Sequence, residues 1–401
     1  MMLIGIVGKT NTGKSTIFKA LTLMDVEISN RVFTTIKANH AVGFVKAKCP
    51  EEKAKSKCKP NLGYCKEGIR FIPVELLDVA GLVPGAHLGK GLGNKFLDDL
   101  RQADAFIHVI DISGSTNENG EPVGKGSYDP AKDVRFLEEE IGYWFFGMLK
   151  KNWEKFSKEV EMQKRDLIES LVKQFSGLKV TEPQIKKAIE TTGLPKDTPA
   201  QWSDDDLKKF AFELRKLSKK MIIAANKIDV PGSDENLERL RKEFPNYKII
   251  PCSAESELAL KEADKHDLVK YMPGNKGFEI LKEDGLNEKQ KHALDFIKNS
   301  VLGKFGSTGI QECLNKAVFD LLDCIVVYPV ANVNRLTDKK GNVLPDAILV
   351  PKGTNLKEFA GKVHTEMADK FIGGIDSETK RKLGSEYEVK DGEIIEIVFG
   401  K

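Results

Sequence analysis

The residues best placed to do chemistry are Gly8-Lys9-Thr10-Asn11-Thr12-Gly13-Lys14-Ser15. Glycines at this spacing let backbone N–H groups approach a phosphate chain, and the helix that follows aims its N-terminus at the same negative charge. In such a loop Lys14 reaches the β- and γ-phosphates, the Ser15 hydroxyl binds Mg²⁺, and Thr12, Gly13 and Thr16 line the nucleotide. Asp78-Val79-Ala80-Gly81 stands at the end of a second apolar run. Its spacing predicts that Asp78 holds Mg²⁺ through a water and that the Gly81 amide senses the γ-phosphate. Thr34 and Thr35 fall between these two motifs, and one hydroxyl, best Thr35, is expected to close over the metal and the γ-phosphate. Lys14, Thr35 and Gly81 are thus the predicted catalytic set.

Asn226-Lys227-Ile228-Asp229 ends a third apolar run and has the chemistry of a base reader. A carboxylate at Asp229 accepts from both N1–H and the exocyclic amine of guanine. Adenine offers neither donor and would leave that carboxylate unpaired, a mismatch worth roughly 10⁴-fold. Lys227 is expected along the base plane, Asn226 as the tie to the phosphate loop, and the Ser253-Ala254 pair as the amide for guanine O6.

These groups need a scaffold that brings strand ends together. Leu3 to Val7, Ile69 to Leu77, Ala105 to Ile110, Met221 to Ala225 and Lys248 to Pro251 read as buried strands, each ending where a motif begins. This is the ligand edge of an open, mostly parallel, doubly wound α/β sheet. Ala41 to Lys46 reads as an antiparallel edge strand. Met2-Leu-Ile-Gly-Ile-Val7 runs straight into the phosphate loop, so it is expected to be the first strand and not a leader. Two segments, about 129–218 and 255–304, have helical periodicity and read as helical insertions in a nucleotide domain spanning 1–322.

Residues 323–401 have a different rhythm and predict a small α+β module. Ile325 to Val330 reads as a strand and Leu356 to Phe371 as a helix opened by an Asn355/Glu358 capping box. Gly373-Gly374 is expected to stop that helix, and Tyr387 to Val389 with Glu393 to Phe399 to form a hairpin.

At 401 residues the chain is long enough for two or three domains, each with its own core. With 63 basic and 60 acidic side chains, its net charge of +3 neither requires nor rules out a nucleic-acid partner. No apolar run is long enough to span a membrane. Six cysteines do not make a secreted disulfide scaffold, so a cytoplasmic location is expected. Cys49, Cys58 and Cys65 stand in a lysine-rich stretch at spacings wider than zinc sites usually show. Free thiols are the favoured reading, with a zinc site completed by nearby His40 as the other. Cys252, Cys313 and Cys324 read as core residues.

Taken together, the motifs resemble those of the Obg-related P-loop GTPases, and most closely the YchF-type branch with a C-terminal TGS domain. The likeness runs through Asn11, Phe33-Thr34-Thr35-Ile36, Asp78 to His87, Gly91 to Leu100, Leu344-Pro-Asp and Asp391-Gly-Glu-Ile-Ile-Glu-Ile397. It implies a P-loop G domain with helical insertions and a ubiquitin-like β-grasp (TGS) module. It also implies a Mg²⁺-dependent GTPase switch cycling between GTP and GDP, with the ribosome or ribosome-associated RNA as partner. A monomer is the expectation. Some YchF-type proteins favour ATP because the base-reading motif is altered, but Asn226-Lys227-Ile228-Asp229 is intact here, which favours GTP. Leu82 stands where many GTPases carry a water-orienting glutamine, so intrinsic hydrolysis is expected to be slow. In related GTPases an asparagine at the position of Asn11 holds K⁺ against the phosphates, and the same is implied here. His87 is read as a surface histidine in the second switch. The rival readings are a nucleotide-gated scaffold with incidental hydrolysis and an ATPase of the same fold.

Overall fold

A computed structural model describes residues 1–23, 39–54, 56–81, 85 and 93–400. Thr34, Thr35, Leu82, His87 and the Gly91-Leu92 pair lie outside the described residues. In chain order the strands are β1 (Leu3–Val7), β2 (His40–Lys48), β3 (Tyr64–Lys66), β4 (Ile69–Asp78), β5 (Ala105–Asp111), β6 (Met221–Asn226), β7 (Ile249–Cys252), β8 (Val269–Tyr271), β9 (Phe278–Ile280), β10 (Cys324–Val330), β11 (Ile348–Pro351), β12 (Phe371–Asp376), β13 (Lys382–Leu383) and β14 (Ile394–Phe399). The principal helices are α1 (Lys14–Thr22), α2 (Gly93–Gln102), α3 (Ala131–Lys150), α4 (Trp153–Met162), α5 (Leu167–Gln174), α6 (Glu182–Thr192), α7 (Asp204–Ser218), α8 (Ser233–Glu243), α9 (Ala254–Lys265), α10 (Glu288–Phe296), α11 (Ile310–Lys316) and α12 (Leu356–Val363).

The backbone forms two compact units: 3–20 with 76–313, and 1–2 with 21–75 and 314–401. In the former, β1, β5, β6 and β7 lie side by side and parallel. Every residue of β1, β5 and β6 is buried. That explains their nearly unbroken apolar sequences, since helices cover both faces of such a sheet. The end of β4 joins β1, with the Val79 N–H donating to Ile6 O.

Between β5 and β6 the chain is helical, from α3 to α7. The entry to α7 is fixed by a Ser203/Asp206 capping box, that of α6 by Thr181 and Gln184, and that of α5 by the Asp166 side chain. Their apolar faces share one core with β1 and α2, in which Phe145, Leu171, Ile185 and Phe210 are fully buried. Trp153 and Trp202 stack at 5.1 Å, and each indole N–H finds a backbone carbonyl, of Pro199 and Pro195 respectively. The second helical segment is not wholly helical. It contains an antiparallel β8–β9 hairpin in which Val269 and Tyr271 are buried on alternate positions.

The other unit holds the β3–β4 hairpin, with β2 beside β4, and a five-stranded sheet in the order β11-β10-β14-β12-β13. β10 runs parallel to β14 and antiparallel to β11, while β12 is antiparallel to β14. Helix α12 packs Leu356, Phe359 and Ala360 on this sheet. The Asn355/Glu358 capping box opens that helix, but it ends at Val363. Gly373 and Gly374 therefore do not stop it; they lie within β12, where a Cβ on Gly374 would sit 2.7 Å from Leu356 Cδ2. The expected Tyr387–Phe399 hairpin is not formed either. β14 pairs with β10 and β12, and Glu388 makes only an isolated bridge with Asn355. The 322/323 boundary also differs from the compact units, because β2, β3 and their connecting loop group with residues 314–401.

Candidate functional site

The phosphate loop leaves β1 at Gly8, whose added Cβ would lie 2.4 Å from Val109 O, so only glycine allows this close approach to β5. Asn11 and Gly13 have positive φ angles of 62° and 91°. Lys14 opens α1, with Ser15 exposed on its first turn. The Lys14 ammonium lies 3.7 Å from Asp78 Oδ1. That oxygen is buried and takes no hydrogen bond among the described residues. A hydrated cation beside Ser15 would satisfy it, so the residues fit the Mg²⁺ that this loop chemistry implies. Gly81 comes up against the loop as well, since a Cβ there would be 3.3 Å from Thr10 Oγ1.

Asn226 joins the loop to the base-reading segment. Its Nδ2 donates to Thr12 O at 2.8 Å and its Oδ1 accepts from the Ala254 N–H at 3.0 Å. The Ser253 N–H donates to Thr308 O. Both amides expected for guanine O6 thus have protein acceptors, and the pair braces the loop instead. Ser253 also caps α9 through its side chain. Lys227, at φ 66°, reaches Asp111 Oδ2 at 2.9 Å. Burial pushes the Asp111 carboxyl up, but hydrogen bonds from Ser113, Lys227 and Ser115 outweigh it and hold the carboxyl below its usual range. Asp229 follows in the turn, half-buried, and its carboxylate has no hydrogen bond among the described residues.

Several participants escape sequence reasoning. The Lys9 ammonium is buried, 2.9 Å from each oxygen of Asp133 and from Thr116 O, and lies over the Tyr128 ring. Desolvation raises the Asp133 carboxyl pKa more than Lys9 lowers it. Asn11 Nδ2 donates to Gly120 O at 2.8 Å. At Gly120, with φ 79°, a Cβ would be 2.6 Å from Thr10 O. The 113–128 loop therefore grips the back of the phosphate loop. The usable signal was Asp111, the only acidic residue in β5, whose other residues are apolar apart from His108.

His108, on β5, is fully buried, and desolvation followed by Lys9 lowers its pKa to about 3. The native state keeps it neutral, whereas the unfolded chain protonates it near 6.5. Stability is therefore complete above about pH 6.5 and falls as pH drops towards 3, by up to about 1.4 kcal/mol per unit. By pH 4.5 this one group is expected to remove about 2–3 kcal/mol. Urea unfolding of wild type and His108→Gln at pH 7 and 4.5 checks it: the wild type should lose more on acidification by that difference.

In the other unit, Cys49, Glu51, Cys58 and Cys65 converge, with their ligand atoms all within 4.8 Å. Burial first, then Cys58, pushes the Cys49 thiol up to about 11. His40 does not join them; its Nδ1 sits 2.6 Å from Glu75 Oε1. Cys252 and Cys313 are buried 3.4 Å apart and, like buried Cys324, belong to the apolar interior.

Over nearly its full length the chain is similar to curated proteins. It is 51% identical over 398 residues to an uncharacterised GTP-binding protein of Methanocaldococcus jannaschii, covering 99% of each. The chain is an Obg-like, YchF-type GTPase. Family models match in three places: a 50S ribosome-binding GTPase over 3–137, the G4 motif-containing domain of Obg-like YGR210-like GTPases over 224–332, and a TGS domain over 336–399. The crystal structure of a GTP binding protein from Pyrococcus horikoshii OT3 is similar with a TM-score of 0.79 and 38% identity, covering all of both chains. The Ribosome-binding ATPase YchF of Bacillus subtilis is 26% identical over 98% of each chain. The family fixes the fold as a P-loop G domain with helical regions and a C-terminal TGS domain. Among the described residues of this GTPase no helix is long and apolar enough to cross a membrane.

Proposed function

We propose that this chain binds Mg²⁺·GTP and hydrolyses it slowly, as a nucleotide-dependent switch that acts on ribosomes or ribosome-associated RNA in the cytoplasm. The observation that carries the reading is Asn226, whose side chain holds both Thr12 of the phosphate loop and Ala254 while Asp229 stands unpaired three residues beyond the end of β6. One site would thus read phosphate and base together. In it Lys14 and the Thr12, Gly13 and Thr16 segment bind the phosphates, Lys227 flanks the base, and Asp229 accepts from guanine. Ser15 and Thr35, with Asp78 through water, would hold Mg²⁺, which when bound neutralises charge on the β- and γ-phosphates. Gly81 would sense the γ-phosphate.

Asn11 gives its Nδ2 to Gly120, and its Oδ1 accepts no hydrogen bond among the described residues. That carbonyl oxygen suits a monovalent cation, and K⁺ there would offset developing charge as an arginine finger does. With Leu82 unable to orient water, unassisted turnover should be on the order of 10⁻⁴ to 10⁻² s⁻¹.

The Ribosome-binding ATPase YchF of Bacillus subtilis favours a second reading, ATP as the nucleotide, and it suggests the ribosome as partner, as does the similarity to 50S ribosome-binding GTPases. Calorimetry with GDP and ADP, followed by single-turnover hydrolysis in K⁺ or Na⁺ with and without ribosomes, tests the whole. GDP should bind at least about 100-fold tighter than ADP, given the discrimination that a carboxylate paired with two base donors provides. Faster turnover in K⁺ and on ribosomes is expected. Tight ADP binding would replace GTP by ATP, and indifference to ribosomes would leave a scaffold with incidental hydrolysis.

A further inference from the structure

The stretch from the end of β2 to β3 gathers four metal-binding side chains from four places. Cys49 follows the last residue of β2, Glu51 lies in the 3₁₀ turn Pro50–Lys53, Cys58 lies in the loop and Cys65 in β3. Cys49 Sγ is 3.6 Å from Cys58 Sγ, and Cys65 Sγ is 3.9 Å from Glu51 Oε2. All four ligand atoms fall within 4.8 Å of one another.

These distances exclude a disulfide, whose sulfurs stand about 2.05 Å apart. The separations of 3.6 and 3.9 Å lie close to the edges of a zinc tetrahedron, and the rest, within 4.8 Å, need only a small contraction to reach them. Bonds of about 2.3 Å to sulfur and 2.0–2.2 Å to oxygen give edges of about 3.6–3.8 Å. We propose that Cys49, Cys58, Cys65 and Glu51 bind one structural Zn²⁺ ion.

Four protein ligands close the coordination shell, as structural zinc sites do, and leave no position for a substrate. Three thiolates and a carboxylate around Zn²⁺ carry a net charge of −2, which suits a loop containing Lys53, Lys57 and Lys59. The first ligand is already held, because the Cys49 N–H donates to Gly68 O at 2.8 Å in the β3–β4 turn. A thiolate-rich set with one hard oxygen favours Zn²⁺ over Cu⁺ or an iron–sulfur cluster, both of which prefer softer ligands than a carboxylate.

The ion would also do something for the fold. Within the same loop the Lys59 and Asn61 N–H groups donate to Val343 O and Pro345 O, each at 2.8 Å. Buried Arg70 donates to Leu344 O and Pro345 O at 3.0 and 2.9 Å. Zinc would pin the loop that grips this segment, which lies inside the TGS match.

The test is elemental analysis of the full chain, purified without a histidine tag and reconstituted with Zn²⁺. About one zinc per chain is expected, and Co²⁺ in its place should give thiolate charge-transfer bands and intense tetrahedral ligand-field bands. Cys58→Ser and Cys65→Ser should each lower zinc content at least about tenfold under a competing chelator while GDP affinity is unchanged. Chelation of the wild type should speed hydrogen exchange at the Lys59 and Asn61 amides. Reconstituted protein with less than about 0.1 zinc per chain and three readily alkylated thiols would overturn the proposal. So would a Cys49–Cys58 disulfide in protein kept reduced during purification, or iron bound in preference to zinc.

Discussion

Asp229→Asn is expected to lower GDP affinity by about 10³-fold or more and to create affinity for xanthosine diphosphate. In the proposed site guanine would present two donors to the Asp229 carboxylate, and an amide can accept only one of them. Its NH₂ group then faces the guanine amine, donor against donor. Mismatches of this kind cost roughly 10⁴-fold where a site is built to be paired. Xanthine carries an oxygen where guanine carries the amine, so the asparagine NH₂ finds an acceptor and its Oδ1 still takes N1–H. Titration calorimetry with both diphosphates reads the exchange directly. Equal loss for both nucleotides would assign Asp229 to holding the loop and not to reading the base.

The second large effect is expected at Lys9, which the phosphate-loop pattern leaves as a spacer. Its ammonium is the counterion of Asp133, and both side chains are at most 5% exposed. Lys9→Ala strands a buried carboxylate and also empties the space over the Tyr128 ring. A cost of about 3–5 kcal/mol is typical when one partner of a buried pair is removed. Lys9→Met with Asp133→Leu removes both charges and fills similar space, so the pair of substitutions should cost much less than Lys9→Ala alone. Urea unfolding of the single and double variants measures the difference. If Lys9→Ala unfolds like the wild type, the buried pair contributes nothing that solvent cannot replace.

The second effect depends on how the 113–133 segment meets the phosphate loop, and no spacing in the sequence announces that meeting. Lys9 and Asp133 are 124 residues apart, and Asn11 and Gly120 are 109. Their partnership exists only once β5 has paired with β1 and carried the following loop back across Gly8.

What the sequence determined by itself is the set of short-range patterns. Apolar runs without alternation predicted parallel strands buried on both faces, because a strand covered by helices has no solvent side. Glycines at 8 and 13, with Lys14 and Ser15 beyond, predicted a phosphate cradle because close backbone approach requires the missing Cβ. Asn355 and Glu358 predicted a helix start from a reciprocal pairing three residues long.

Tertiary structure alone decided the longer-range outcomes. Gly373 and Gly374 read locally as a helix stop, yet the helix had already ended at Val363, and β14 drew both glycines into a strand. Wide cysteine spacing, measured along the chain, favoured free thiols and gave no sign that Glu51 would stand among them. Once β3 folded back on β4, Cys65 stood beside Glu51, and His40, the nearer candidate in type, was held instead by Glu75. Pairing between strands, and not distance in sequence, settles which side chains can share an ion.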